Sequence, residues 1–189
     1  MNLRALSLAL LVAAAGLAGW TAMERFTFAG GSRVWVEGTS TVHDWTCSAT
    51  QISGSLDATP AQAGLSGLSG LTVTVPVNAL DCDNGTMNGK MREALGTSAI
   101  RFTASSARVG AASGGRFPVE VDGQLTIHGT TRAQRIQAQG QDLGNGRYRF
   151  TGSVPVTMSQ FGVTPPTAML GTLRTGDRVT VRFDVTIAR

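Results

Sequence analysis

The chain is poor in the residues from which most catalytic and metal sites are built. Its 189 residues include two cysteines and two histidines. There is no Cys-x-x-Cys pair, so a zinc or haem site would need an unusual ligand set. No Gly-x-Ser-x-Gly elbow is present to present a nucleophilic serine. The glycines of Ala63–Gly70 (AGLSGLSG) are not followed by Lys-Ser/Thr, which excludes a phosphate-cradling P-loop there. Basic residues do not cluster with aromatics. The 16 Lys and Arg and 12 Asp and Glu give a net charge of +4. Arg174, Arg178, Arg182 and Arg189 are interleaved with Asp177 and Asp184, the pattern of a mildly basic solvated surface rather than a nucleic-acid-binding stripe. His43-Asp44 is the one pair with a catalytic look. On an extended chain neighbours point to opposite faces, so Asp44 cannot orient the adjacent imidazole. In a turn, Asp44 is expected to cap local amides instead. The sequence therefore reads as a non-enzyme without metal or cofactor. Asn84-Gly85-Thr86 matches a glycosylation sequon, a triplet common by chance.

Long apolar runs are also scarce. The only one, Ala5 to Ala18, follows the short basic start Met1–Arg4 and is shorter than the roughly 20 residues of a membrane span. Small residues follow it, with cleavage expected near 18–22. Residues 1–22 thus read as a secretory signal peptide, with an uncleaved anchor as the alternative. No cysteine follows the run to carry a lipid anchor. The expected location is periplasmic or secreted. Residues 23–189 are undivided by any linker and suffice for one domain with a core of its own. In an oxidising compartment Cys47 and Cys82 are expected to bridge, closing a loop of about 36 residues worth roughly 4 kcal/mol. A redox pair or metal ligation are the alternatives.

What the chain has in abundance is alternation. In Arg178–Ile187 (RVTVRFDVTI), Val179, Val181, Phe183, Val185 and Ile187 take every second place. This is a strand with one apolar and one wet face. Leu71–Val77 and Tyr148–Val156 repeat the pattern. Further strands are expected at Arg33–Glu37, Trp45–Ala49, Gln51–Asp57, Ile100–Arg108, Val119–Ile127 (kinked or bulged at Gly123) and Thr130–Gln139. Turns are expected at His128-Gly129 and Gly144-Asn145-Gly146, and Ala58–Gly70 reads as a flexible loop. Over Asn84–Leu95 the period changes. Met87, Met91 and Leu95 recur every fourth residue before Gly96, which predicts one short helix with a glycine C-cap. Eight or nine antiparallel strands with one helix close as a barrel or stack as a sandwich. Eight give an interior just wide enough to be filled or to hold one narrow ligand. Periodicity alone leaves that choice open.

Several segments, in order, resemble the YceI-like family of exported lipid- or polyisoprenoid-binding proteins. They are Val36–Cys47 (VEGTSTVHDWTC), Val75–Met91 (VPVNALDCDNGTMNGKM), Ile100-Arg101-Phe102, Gly123–Arg132 (GQLTIHGTTR), Met158–Pro166 (MSQFGVTPP) and Gly176-Asp177. Thr39–Trp45 (TSTVHDW) departs from better-known members. The resemblance implies an all-β, antiparallel, lipocalin-like eight-stranded barrel with the short helix near one mouth. It implies a Cys47–Cys82 disulfide and a lumen for a long isoprenoid or acyl chain. Strand parity then nominates as lumen residues Trp45, Val73, Val75, Met87, Met91, Phe102, Leu125, Phe150, Val154, Phe161, Val181 and Phe183.

The function implied is a periplasmic carrier for a long-chain amphipathic lipid. The alternatives are an envelope interaction or stress protein with a packed barrel, or an accessory protein for isoprenoid quinones. The lipid is the expected partner. Transient contact with a membrane surface or a membrane oxidoreductase is a further expectation, nucleic acid is not, and the oligomeric state stays open, a dimer included.

Overall fold

The computed structural model describes residues 22–189. The signal-peptide reading falls on residues that, Ala22 apart, lie outside this range. Eleven strands follow the chain: β1 (Glu24–Phe28), β2 (Arg33–Ser40), β3 (Trp45–Ala49), β4 (Ser53–Ala61), β5 (Gly64–Val75), β6 (Ile100–Val109), β7 (Arg116–Ile127), β8 (Thr130–Gly144), β9 (Arg147–Thr157), β10 (Thr167–Ala168) and β11 (Leu173–Ala188). The helix α1 (Gly85–Leu95) lies between β5 and β6.

All pairings are antiparallel. They run β1-β4-β5-β6-β7-β8-β9-β11, and β1 pairs back onto the end of β11 through Thr27↔Ala188 and Phe28↔Ile187. The ring of eight strands is therefore closed. Closure leaves less exposed edge than an open sheet would offer for aggregation. β2 takes over the same edge of β11 beyond β1, and β3 pairs β2. The handover is held by Ser32, the one buried polar side chain among the described residues. Its hydroxyl donates to Ala29 O (2.7 Å) and accepts from the Thr186 N–H (3.0 Å). β3 is tied in turn to the segment after β5. Ser48 and Asp81 exchange backbone hydrogen bonds, and Cys47 bonds to Cys82. The expected disulfide thus pins the upper wall of the barrel where strand pairing lapses.

The alternation in β11 has the meaning its sequence suggested. Val179, Val185 and Ile187 are buried, while Arg178 and Arg182 are exposed. On the outer wall arginines pair with carboxylates across neighbouring strands: Arg25–Asp57, Arg108–Glu120, Arg135–Asp122, Arg149–Asp184 and Arg182–Glu37. This accounts for the interleaved charges of the sequence. Such exposed pairs contribute about 0–1 kcal/mol each.

Three expectations need correction. The stretch Ala58–Gly70 is not a loop. Its ends belong to β4 and β5, which turn between Ala61 and Gly64. Leu65, Leu68 and Leu71 are three apart instead of two because β5 carries an extra residue at two register shifts, opposite Ser55/Asp57 and Thr59/Pro60. Each bulge returns the next leucine to the inner face. Second, β7 passes through Gly123 in unbroken register with β8, and the bulge sits on the neighbouring β6, between Thr103 and Ala107. Gly123 is required because a Cβ there would lie 2.4 Å from Phe102 Cζ. Third, Val77 is not the end of a strand. β5 stops at Val75, and Pro76 precedes a single helical turn, Val77–Ala79. β1 and β10 were not expected at all. The helix and its glycine C-cap are as predicted, Gly96 N–H donating to Arg92 O, and Asn84 adds an N-cap, its Oδ1 accepting from the Met87 N–H (3.0 Å).

Candidate ligand cavity

One end of the barrel is solid. Phe26, Phe117 and Ile187 have no exposed surface, and Tyr148 is nearly as buried. Tyr148 packs edge-on against Phe26 and Phe117, with ring centroids 5.7 and 6.5 Å apart, and Phe150 packs edge-on against Phe117 at 6.0 Å. Such edge-to-face contacts suit the aromatic quadrupole. The first described strand and the C-terminus meet at this floor, where Arg189 pairs with Glu24 at 2.6 Å.

Above the floor the barrel is hollow. A cavity of about 600 Å³ runs from the aromatic floor to the end covered by α1, within the roughly 300–1,000 Å³ common for small-molecule sites. The hollow interior shows in burial as well as in volume. Val73, Leu125, Ile136, Ala138, Val181 and Phe183 point inward and line the cavity, yet remain only half-buried. In a packed core they would be enclosed by partners.

All twelve residues nominated from sequence line this space: Trp45, Val73, Val75, Met87, Met91, Phe102, Leu125, Phe150, Val154, Phe161, Val181 and Phe183. Residues missed include Leu68, Leu71, Ile136 and Ala138 on the walls, and Ser40, His43, Lys90, Met169 and Leu173 near the mouth. The wall residues could have been found by extending the strand parity. The mouth residues carry no periodic signal.

The roof is fixed by local polar contacts. Asn88 of α1 accepts from the Cys82 N–H (2.7 Å) and donates to Asp81 (2.8 Å). That amide, with the Asp83 N–H, holds the Asp81 carboxyl below the usual carboxylate range. His128, in the β7–β8 turn, reaches the Leu95 carbonyl with Nδ1 at 3.0 Å. Both turn residues, His128 and Gly129, have positive φ, as a tight two-residue hairpin requires. α1 is thereby fastened at both ends, with Met87 and Met91 toward the lumen. Methionine's flexible, polarizable side chain suits an irregular apolar contact. The β2–β3 loop faces α1 across the mouth. Here His43 Nδ1 meets the backbone carbonyl of Asp44 (2.7 Å), not its carboxylate. Ser40, rather than Asp44, caps this turn, its Oγ accepting from the Val42 and His43 N–H groups.

A closed antiparallel ring with an apolar, one-ended lumen defines a lipocalin-like barrel. Within that class the model of the YceI-like domain matches residues 26–187, and the chain belongs to the YceI-like family. Solved structures with the same fold include BcnA of Burkholderia cenocepacia, at 19% identity and a TM-score of 0.62, covering 82% of this chain and 95% of that one. A polyisoprenoid binding domain from Saccharophagus degradans, implicated in plant cell wall breakdown, matches at 17% identity and a TM-score of 0.67 over 86% and 97% of the two chains. The YceI protein of Campylobacter jejuni matches at 17% and 0.57 over 76% and 84%. No curated protein matches the chain.

Proposed function

We propose that this protein is a non-enzymatic carrier of a long-chain amphipathic lipid, of polyisoprenoid or fatty-acyl type, held in the barrel lumen. The observation that carries this reading is the half-buried apolar wall around the cavity. Each methylene moved from water into such a space contributes about 0.8 kcal/mol, so a long chain needs no charged anchor inside. Membership of the YceI-like family and the likeness to the polyisoprenoid binding domain of Saccharophagus degradans support it. The signal-peptide pattern of residues 1–22 in the sequence supports a periplasmic site of action. Native mass spectrometry of protein purified from its own host, followed by lipid extraction, tests the reading. A co-purifying isoprenoid, isoprenoid quinone or acyl lipid is expected. Ligand-free protein that also ignores prenyl and fatty-acyl probes would sink it.

Loading requires access to a membrane, and the rim of the mouth suits that contact. Val42, Met169 and Leu170 are 70%, 77% and 108% exposed, on the β2–β3 loop and the β10–β11 hairpin. Thr41 joins the two loops, its N–H donating to Arg174 O (3.0 Å) and its hydroxyl to Thr172 O (3.2 Å). Three large apolar side chains thus stand together beside the lumen, at the end of the barrel opposite the aromatic floor. Changing all three to serine is expected to lower co-sedimentation with phosphatidylethanolamine–phosphatidylglycerol vesicles by about tenfold, from roughly 1–2 kcal/mol of lost burial. Affinity for a detergent-solubilised prenyl probe should fall far less, since of the three only Met169 borders the cavity.

A further inference from the structure

The wall of the barrel has an opening between β8 and β9. β7 pairs β8 along its whole length and β9 pairs β11 along its whole length, but the β8–β9 ladder stops at Ala138↔Gly152. Beyond that point Thr130–Gln137 and Ser153–Thr157 have no partner across the gap. A second, smaller cavity of about 150 Å³ occupies it. Its lining includes inward-facing residues shared with the main lumen, Gln134, Val156 and Phe161, and outward-facing ones, Thr157 and Arg178. Lining from both faces of one sheet means that this cavity passes through the wall.

The gap also holds two cations. Arg132 is paired with Leu125 across β7–β8. Directly opposed residues share a face, and Leu125 faces the lumen, so Arg132 belongs to an inward row that is apolar at Ile136 and Ala138. Its Nε donates to the Gln160 carbonyl in the helical turn Met158–Phe161, leaving its terminal nitrogens available. Arg178 lies on the other side of the gap. Neither has an ion pair among the described residues, in contrast to the paired arginines of the outer wall. The nearby Asp177 is committed: it accepts from the Ser159 N–H (2.8 Å) and hydroxyl (2.5 Å), which hold its carboxyl below the usual range.

We propose that the β8–β9 gap is a headgroup site, in which Arg132 and Arg178 hold the phosphate-class anionic end of an amphipath whose chain lies in the lumen. This rests on the carrier reading and specifies its ligand. Guanidinium groups suit the task because their planar forks match phosphate oxygens in paired hydrogen bonds. Phe161 and Val156 form the threshold between the two spaces. The gap lets the charge stay wet while the chain is desolvated.

The test compares geranylgeranyl monophosphate, geranylgeraniol and inorganic phosphate by calorimetry against wild type, R132Q/R178Q and R132K/R178K. Wild type should bind the phosphate ester at least about tenfold more tightly than the alcohol, the worth of one charge-assisted contact. R132Q/R178Q should lose that preference without losing the alcohol, and R132K/R178K should retain part of it. Equal affinity of wild type for ester and alcohol overturns the headgroup site alone. Equal losses for both probes in R132Q/R178Q do the same, as does inorganic phosphate binding as tightly as the ester, which marks a free-anion site. Failure of wild type to bind the alcohol at all overturns the carrier reading and this inference with it.

Discussion

Replacing Ala138 and Val181 together by phenylalanine is expected to leave a folded barrel that no longer takes a long apolar chain. Both residues line the lumen and both are half-buried, so the added rings have empty space to enter. Overpacking of a filled core costs about 1–3 kcal/mol. Here that cost should be small or absent, because the new rings cover apolar walls that now face the cavity. The ligand meets the opposite situation. Excluding about four methylenes from the lumen removes roughly 3 kcal/mol, more than a hundredfold in Kd. Thermal melts and titration with a fluorescent prenyl or fatty-acyl probe check the two halves separately. Unchanged affinity would mean that the chain binds elsewhere. A collapse of the melting temperature with loss of binding would mean that these positions belong to a packed core, and V181F and A138F singly would locate the clash.

The two walls of the barrel were readable in the sequence because alternation reports them directly. In Val179–Ile187 each apolar residue is inward and each charged residue outward, and the same parity nominated Val73, Val154 and Phe150 correctly as cavity-lining. Parity fails where the backbone slips. Leu65, Leu68 and Leu71 look aperiodic, and only the two bulges in β5 put them on one face. Glycine and serine between them add no side chain that could have marked a strand. Closure by β1 was equally hidden, since Glu24–Phe28 is short and its partners, β4 and the end of β11, are distant in sequence. Occupancy of the interior is a third kind of information. Alternation says which residues face inward and nothing about whether they meet. Phe117 and Val181 obey the same rule, yet one is in the solid floor and the other borders open space. The β8–β9 gap belongs here too: Arg132 and Gln134 share a row with Ile136 and Ala138, and their meaning depends on a ladder that ends early.

Phe117→Ala should have the largest effect on stability and should also lengthen the lumen. The ring fills a socket shaped by two glycines: a Cβ at Gly140 would lie 2.3 Å from it, and one at Gly64 2.6 Å. Such neighbours cannot extend side chains to refill the space, so the cavity left behind will stay open. Large-to-small core changes of this kind cost about 3–5 kcal/mol. Tyr148 and Phe150 also lose their edge-to-face partner, about 0.5–1.5 kcal/mol per aromatic pair. The void lies directly below the lumen and joins it if the Phe150 ring turns aside. The floor then descends, and the preferred acyl or prenyl chain should become longer. Chemical denaturation gives the stability loss, and competition among fatty acids of increasing length gives the shift. Phe117→Leu keeps most of the volume and should lose less stability with no shift in chain length. If F117A is destabilised but prefers the same chain as wild type, the aromatic floor supports the barrel without setting the depth of the site.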